Sequence, residues 1–387
     1  MTIVMVGHKG VPARSGGIER HVEELSAALV RLGARVVSYD RAWYVGEVPS
    51  PSGITRRVSY GVTTKHLDAI THTFTALVLS LRDKPDVIHM HGVGPSLLAP
   101  LARVLHPKAR LVCTFHCIDR THAKWGAFAR IMLRAGEWFT CRFAHRTIAV
   151  SDALAAYCLD EYQCQPAVIP NGVRVPSVES HDALSSFGLE PNRYIAMVTR
   201  LIPHKNVHVA IGAYRALTER RPDLVKTYPL VIVGSGAFTS VYEQELKQLA
   251  EATPGVRLLG EQHGAALASL QANATAHLSI ASSEGMSIAL LEAICYGRPV
   301  IVSDIPENTE VTGTLAPNVI PNDVMSLAHA IETMLELSDA ERNAMGEKLR
   351  ERILVKHDWN EIAKTTLELY RELKQEPLEC AVPVTAP

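Results

Sequence analysis

The sequence predicts an α/β protein of two doubly wound parallel sheets, one following the other. Three observations lead there. Short apolar runs alternate with helical patterns along the chain, the order expected of parallel strands joined by crossover helices. At 387 residues, the chain is long enough for two domains that each bury a core. The periodicity lapses once, in the Pro- and Ser-rich stretch 170–186.

In the first half, strands are expected at Thr2–Val6, Arg35–Tyr39, Asp86–His89, Arg110–Thr114, Arg146–Val150 and Ala167–Ile169. Between the first two, Ile18, Val22, Leu25 and Leu29 recur at helical spacing, and Gly33 ends the helix. The second series runs Tyr194–Val198, Leu230–Val233, Val256–Leu259, Ala276–Ile280 and Pro299–Val302. The domains are expected to span 1–172 and 173–358. Beyond them, Trp359, Ile362, Ala363, Leu367 and Tyr370 read as an amphipathic helix over 359–375. Residues 376–387, with three prolines, read as a disordered tail.

Composition narrows the function. The chain is 47% hydrophobic with a net charge of −1, which argues against a bulk nucleic-acid binder. No apolar run approaches the roughly 18–20 residues of a membrane span, and Met1–Val6 reads as a strand, not a signal sequence. Seven scattered cysteines without a Cys-x-x-Cys pair fit reduced thiols in a cytoplasmic protein. From Leu101 to Val150, nine Lys/Arg stand against Asp119 and Glu137, 9 − 2 = +7, interleaved with Trp125, Phe128, Trp138, Phe139 and Phe143. Such a segment suits contact with an anionic membrane surface; the alternative is a core helix with a solvated basic face.

The most informative twelve residues are Ser282–Ala293, SSEGMSIALLEA, in which Glu284 and Glu292 are separated by seven residues. The segment reads as a turn entering a helix over Ile288–Tyr296. Helix N-termini present unpaired N–H groups that favour an anion. The eight positions span roughly 12 Å at the helical rise. Alone, the pattern also fits a loop glutamate followed by a solvated one.

This Glu-x7-Glu segment resembles the signature of the family 4 glycosyltransferases, retaining enzymes of the GT-B fold, in which two Rossmann-like domains face each other across a cleft. Other segments fall in the family's order: Gly16-Gly17 after the first strand, Ile169-Pro170-Asn171-Gly172, and Arg200 to Lys205 in TRLIPHK. The resemblance implies that Arg200 and Lys205 hold the diphosphate of a nucleotide sugar. Arg grips two oxygens and Lys adds a point charge. Glu284 would bind donor-sugar hydroxyls and Glu292 the ribose. Gly285, Met286, Ser287 and Ile288 would line the donor with backbone groups. Gly234 and Gly236 would form a glycine turn beside the nucleotide, and Leu259 would meet the base. His116, in CTFHCID, matches a histidine facing the donor sugar, and Gly16-Gly17 completes that pocket, with Arg14 a weaker candidate. The G-x-G-x-x-G spacing of a dinucleotide fingerprint is missing.

No two aspartates stand two apart, so no Asp-x-Asp metal site is available. Neither a metal nor another cofactor is expected, and cations with helix N-termini must stabilise the leaving group. His89, His91, His116 and His122 cluster in sequence but show no recognised ligand spacing. Ser151-Asp152 reads as a helix cap. Two departures from the family stand out. Met286-Ser287 replaces a common aromatic-glycine pair, which leaves the donor sugar open, and His204 occupies a position often acidic.

The implied function is transfer of a sugar from a nucleoside diphosphate donor to a glycan or polyprenyl-linked acceptor for a surface polysaccharide, at the inner face of the cell membrane. The rivals are a GT-B sugar-nucleotide epimerase, which needs no acceptor, and a non-catalytic membrane- or glycan-binding module. A nicotinamide-dependent enzyme has only loose glycine turns in its favour.

Overall fold

The computed structural model describes residues 1–14, 16–46, 53–64, 67–121, 125–174, 182–236 and 240–377. The tail expected over 376–387 therefore lies mostly outside the described residues, as do His122 and Lys124. The chain divides into two compact units, Met1–Asn171 with Trp359–Pro387, and Gly172–Asp358.

The first unit is built on seven parallel strands: β1 (Thr2–Val6), β2 (Arg35–Arg41), β3 (Thr55–Ser59), β4 (Val87–His91), β5 (Arg110–Phe115), β6 (Arg146–Ala149) and β7 (Ala167–Val168). Their order is β3-β2-β1-β4-β5-β6-β7. Strand β1 explains why. Ile3 and Met5 enter one apolar layer with the helices Gly17–Arg31 and Trp359–Gln375, whereas Val4 and Val6 enter another with Ala76, Leu77, Ala99 and Ala102. A strand covered on both faces must be apolar throughout, and TIVMV is. The helix Trp359–Gln375 buries Trp359, Ile362, Ala363, Leu367, Tyr370 and Leu373 on one stripe. Arg31 donates to Asn360 at 3.0 Å, and Lys374 pairs with Asp86 at 2.7 Å.

The second unit has six parallel strands: β8 (Ile195–Val198), β9 (Leu230–Val233), β10 (Val256–Leu258), β11 (Ala276–Ser279), β12 (Val300–Ser303) and β13 (Asn318–Val319). The order is β10-β9-β8-β11-β12-β13. Ile195, Met197, Leu230 and Ile232 face one layer; Tyr194, Ala196, Val231 and Val233 face the other. Both sheets are doubly wound, as expected. Two strands were not anticipated, β3 and β13, and each closes an edge of its sheet. Their sequences, TRRVS and NV, lack the apolar run that marks a central strand.

Among the described residues, no helix is long and apolar enough to cross a membrane. None of the six described cysteines forms a disulfide among the described residues. The basic segment resolves into several roles. Arg110 is buried, Arg120 donates to Glu137 and Tyr157, and Arg103 donates to the Phe143 carbonyl. The helix Ala127–Phe143 turns Leu133, Gly136, Glu137 and Thr140 inward, while Phe128, Ile131 and Trp138 are exposed. Arg130, Arg134 and Arg142 are exposed on the same helix.

Candidate functional site

Ligands of doubly wound sheets gather beyond the carboxyl ends of the strands, where the strand order reverses. In the second unit that point lies between β8 and β11. The chain leaves β8 through Thr199 and Arg200, and a short turn at Pro203–Lys205 follows. Asn206, in the left-handed region at φ 59°, sends its Nδ2 to the Ile280 carbonyl at 2.9 Å. Ser282 N–H donates to the His204 carbonyl at 2.9 Å. These two bonds tie the loop after β8 to the loop after β11.

The tie brings Lys205 and Glu284 together as an ion pair between partly buried side chains. Arg200 is exposed, and its side chain has no hydrogen bond or ion pair among the described residues. Gly285 and Met286 are buried, and Ser287 caps the helix Ile288–Cys295, its Oγ accepting from Leu290 N–H at 3.3 Å. A capped first turn still leaves N–H groups without intrahelical partners. Glu292 is half-buried in that helix, and its Oε2 accepts from Gln271 Nε2 at 3.4 Å.

Gly234 follows β9 at φ 142°, and a Cβ there would lie 1.9 Å from the Thr199 carbonyl oxygen. Close backbone approach demands glycine here. Its N–H donates to the Gly260 carbonyl at 2.8 Å. Gly236 precedes residues outside the described set. Leu259 N–H donates to Ile232, and its carbonyl accepts from Gln262 Nε2 at 2.8 Å. Both of its backbone groups already have a partner within the chain.

In the first unit the reversal lies between β1 and β4. Gly16 caps the helix Gly17–Arg31 at φ 102°, where a Cβ would run into the Glu19 carboxylate. Gly17 is exposed at the helix start. Arg14 packs its guanidinium 5.8 Å from the Tyr44 ring centroid. His116 follows β5, is buried, and its Nε2 lies 3.2 Å from His91 Nδ1. Burial above all, then neighbouring imidazoles, pushes His91 and His116 well below the ordinary histidine range. Both are neutral at pH 7.

His89 is satisfied at both nitrogens, by Thr114 and Tyr370 hydroxyls at 2.6 Å each. Asn171 accepts from His21 Nδ1 at 2.8 Å, and Ser151 caps the helix Asp152–Tyr162.

Sequence reasoning missed three site residues. His21 sits between Ile18 and Val22 on the buried helical face, and a histidine inside an apolar stripe was the available signal. Glu307 lies near Glu284; burial, then the Glu284 and Glu310 charges, raises its carboxyl above the usual range. Gln271 holds Glu292 from another helix, and nothing in sequence joins them.

Two family models match the chain: Glycosyltransferase Family 4 over residues 15–175 and Glycosyl transferases group 1 over residues 185–352. A glycogen synthase of Mycobacterium tuberculosis is 26% identical, covering 97% of this chain and 95% of that protein. A phosphatidyl-myo-inositol mannosyltransferase of Mycobacterium leprae is 26% identical over 74% of this chain and 73% of its own length. Anabaena Alr3699/HepE, solved in complex with UDP-glucose, superposes with a TM-score of 0.75 at 18% identity, covering 96% of this chain and all (100%) of that one. The architecture is the GT-B fold.

Proposed function

We propose, for a chain that belongs to the family 4 glycosyltransferases, a metal-independent, retaining transfer of one sugar from a nucleoside diphosphate donor. The observation that carries the reading is the pairing of Lys205 with Glu284 at the switch point of the second sheet, on the same loop as the exposed Arg200. Positive charge, a carboxylate and a helix N-terminus meet where a diphosphate and its sugar need them.

Arg200, Lys205 and the first turn of Ile288–Cys295 stabilise the diphosphate as the bond between the anomeric carbon and the phosphate oxygen breaks. The acceptor hydroxyl forms the new bond on the same face, and its proton passes to a leaving-group oxygen. Glu284 holds donor-sugar hydroxyls. Gly285, Met286, Ser287 and Ile288 border the phosphates, Glu292 binds the ribose, and Gly234, Gly236 and Leu259 border the nucleotide. His116, neutral and buried, hydrogen-bonds the sugar rather than acting as a base. Gly16 and Gly17 complete that side.

The donor is a UDP-sugar; the UDP-glucose complex of the Anabaena protein supports this choice. The acceptor is lipid-linked, on the way to a surface glycan. The lipid acceptor in the Mycobacterium leprae relative's name and the exposed Phe128, Ile131 and Trp138 beside arginines support that, with the helix Ala127–Phe143 resting on an anionic cytoplasmic leaflet.

The test is a panel of UDP-, GDP- and dTDP-sugars incubated with purified chain in EDTA. Slow release of nucleoside diphosphate from one donor, accelerated by acceptor, is expected. Strict dependence on added divalent metal contradicts the mechanism.

A further inference from the structure

We propose that His21, His91 and His116 form a three-imidazole site for a transition-metal ion such as Zn2+. One ring nitrogen from each lies within 4.8 Å of the others, and all three side chains are buried. Zn–N bonds of about 2.0–2.1 Å set tetrahedral ligand nitrogens about 3.3 Å apart. His91 Nδ1 and His116 Nε2 already stand at 3.2 Å, close to that spacing.

The hydrogen bonds orient the lone pairs. His21 Nδ1 donates to Asn171 Oδ1 at 2.8 Å, so the lone pair of the neutral ring is on Nε2. That Nε2 is buried and has no hydrogen-bond partner among the described residues. A ring whose outer N–H is held by an amide carbonyl, with its other nitrogen unsatisfied, has the arrangement of a metal ligand. His91 Nε2 lies 3.5 Å from the Met5 sulfur, a weak acceptor, which leaves the Nδ1 lone pair facing His116.

The proton between His91 and His116 therefore belongs to His116 Nε2. On metal binding that proton leaves, and His116 Nδ1 takes one from solvent, so the ring stays neutral. Burial holds all three rings unprotonated at neutral pH, so no proton has to be displaced from the lone pairs of His21 and His91. His89 is excluded, both of its nitrogens being engaged. An all-nitrogen set selects zinc, copper, nickel or iron over magnesium or calcium.

The site is separate from any metal requirement of the transfer. If His116 serves the donor sugar, Zn2+ takes that histidine out of use and inhibits turnover. This consequence rests on the proposed function; metal uptake does not.

The experiment is calorimetric titration of the EDTA-stripped, desalted chain with Zn2+. Tight uptake of one equivalent is expected. Affinity should fall at least 100-fold in His21→Ala and roughly 10- to 100-fold in Asn171→Ala, which removes the orienting carbonyl. Unchanged affinity in both folded variants overturns the site. Should either variant fail to fold, zinc-edge X-ray absorption on the wild-type chain with one equivalent decides. Three imidazoles at about 2.0–2.1 Å support the site, and fewer than three overturn it. Zinc uptake without inhibition leaves the site standing and overturns the role of His116.

Discussion

Lys205 and Glu284, 79 positions apart, form an ion pair at the carboxyl ends of two neighbouring strands, β8 and β11. The pair neutralises the lysine and holds Glu284 in place; on the proposed function, a donor diphosphate competes for the same ammonium group. Donor binding would then exchange one anion for another at the ammonium group.

Lys205→Met should therefore lower kcat by roughly 100- to 1,000-fold, the usual cost of losing one preorganised electrostatic contact. Steady-state rates with UDP-glucose check it. An unchanged kcat would show that the lysine does not stabilise the leaving group.

Arg200→Ala separates function from folding. The side chain is exposed and unpaired among the described residues, so stability should change by no more than about 0.5 kcal/mol. Turnover should still fall strongly. Denaturant melts and initial rates, measured on the same sample, test both halves.

Glu292→Gln removes the charge that Gln271 steadies at 3.4 Å. If the carboxylate meets the ribose, UDP should bind about 10- to 100-fold more weakly, the range for a hydrogen bond to a charged group. Calorimetry with UDP alone reads this without an acceptor. Equal affinity would remove the ribose from Glu292.

Gly234→Ala tests backbone packing. The new Cβ would meet the Thr199 carbonyl oxygen at 1.9 Å, at a φ of 142° that disfavours side chains. A loss of roughly 2–4 kcal/mol is expected, visible as a Tm lowered by several degrees.

Acid should destabilise both units. Burial, the dominant cause, lowers His21 and His277 from 6.5 to about 4. The unfolded chain then binds more protons than the folded one between pH 6.5 and about 4, and stability falls as pH drops through that window. Each group contributes on the order of 3 kcal/mol across it. Thermal melts from pH 7 to 5 should show a steadily falling Tm.

The central strands were legible because both of their faces are buried, which leaves continuous runs such as TIVMV and LVIV. The edge strands β3 and β13 were not, since an edge needs no such run. The Glu284–Glu292 segment was legible because its loop and helix are contiguous in sequence. His21, Glu307 and Gln271 were hidden for the opposite reason. Each reaches its neighbour through the sheet order, across spans that no local pattern encodes. His116 was recognised by its motif, yet its partners His91 and His21 emerge only when β4, β5 and the helix Gly17–Arg31 come together.

A crystal soaked with UDP-glucose in the presence of EDTA tests the central claim most directly. The account predicts diphosphate oxygens within about 3–4 Å of Lys205 and Arg200, against the first turn of Ile288–Cys295, with Glu284 on the sugar. Donor density away from these cations, or a diphosphate bound only when a divalent metal is added, would contradict it.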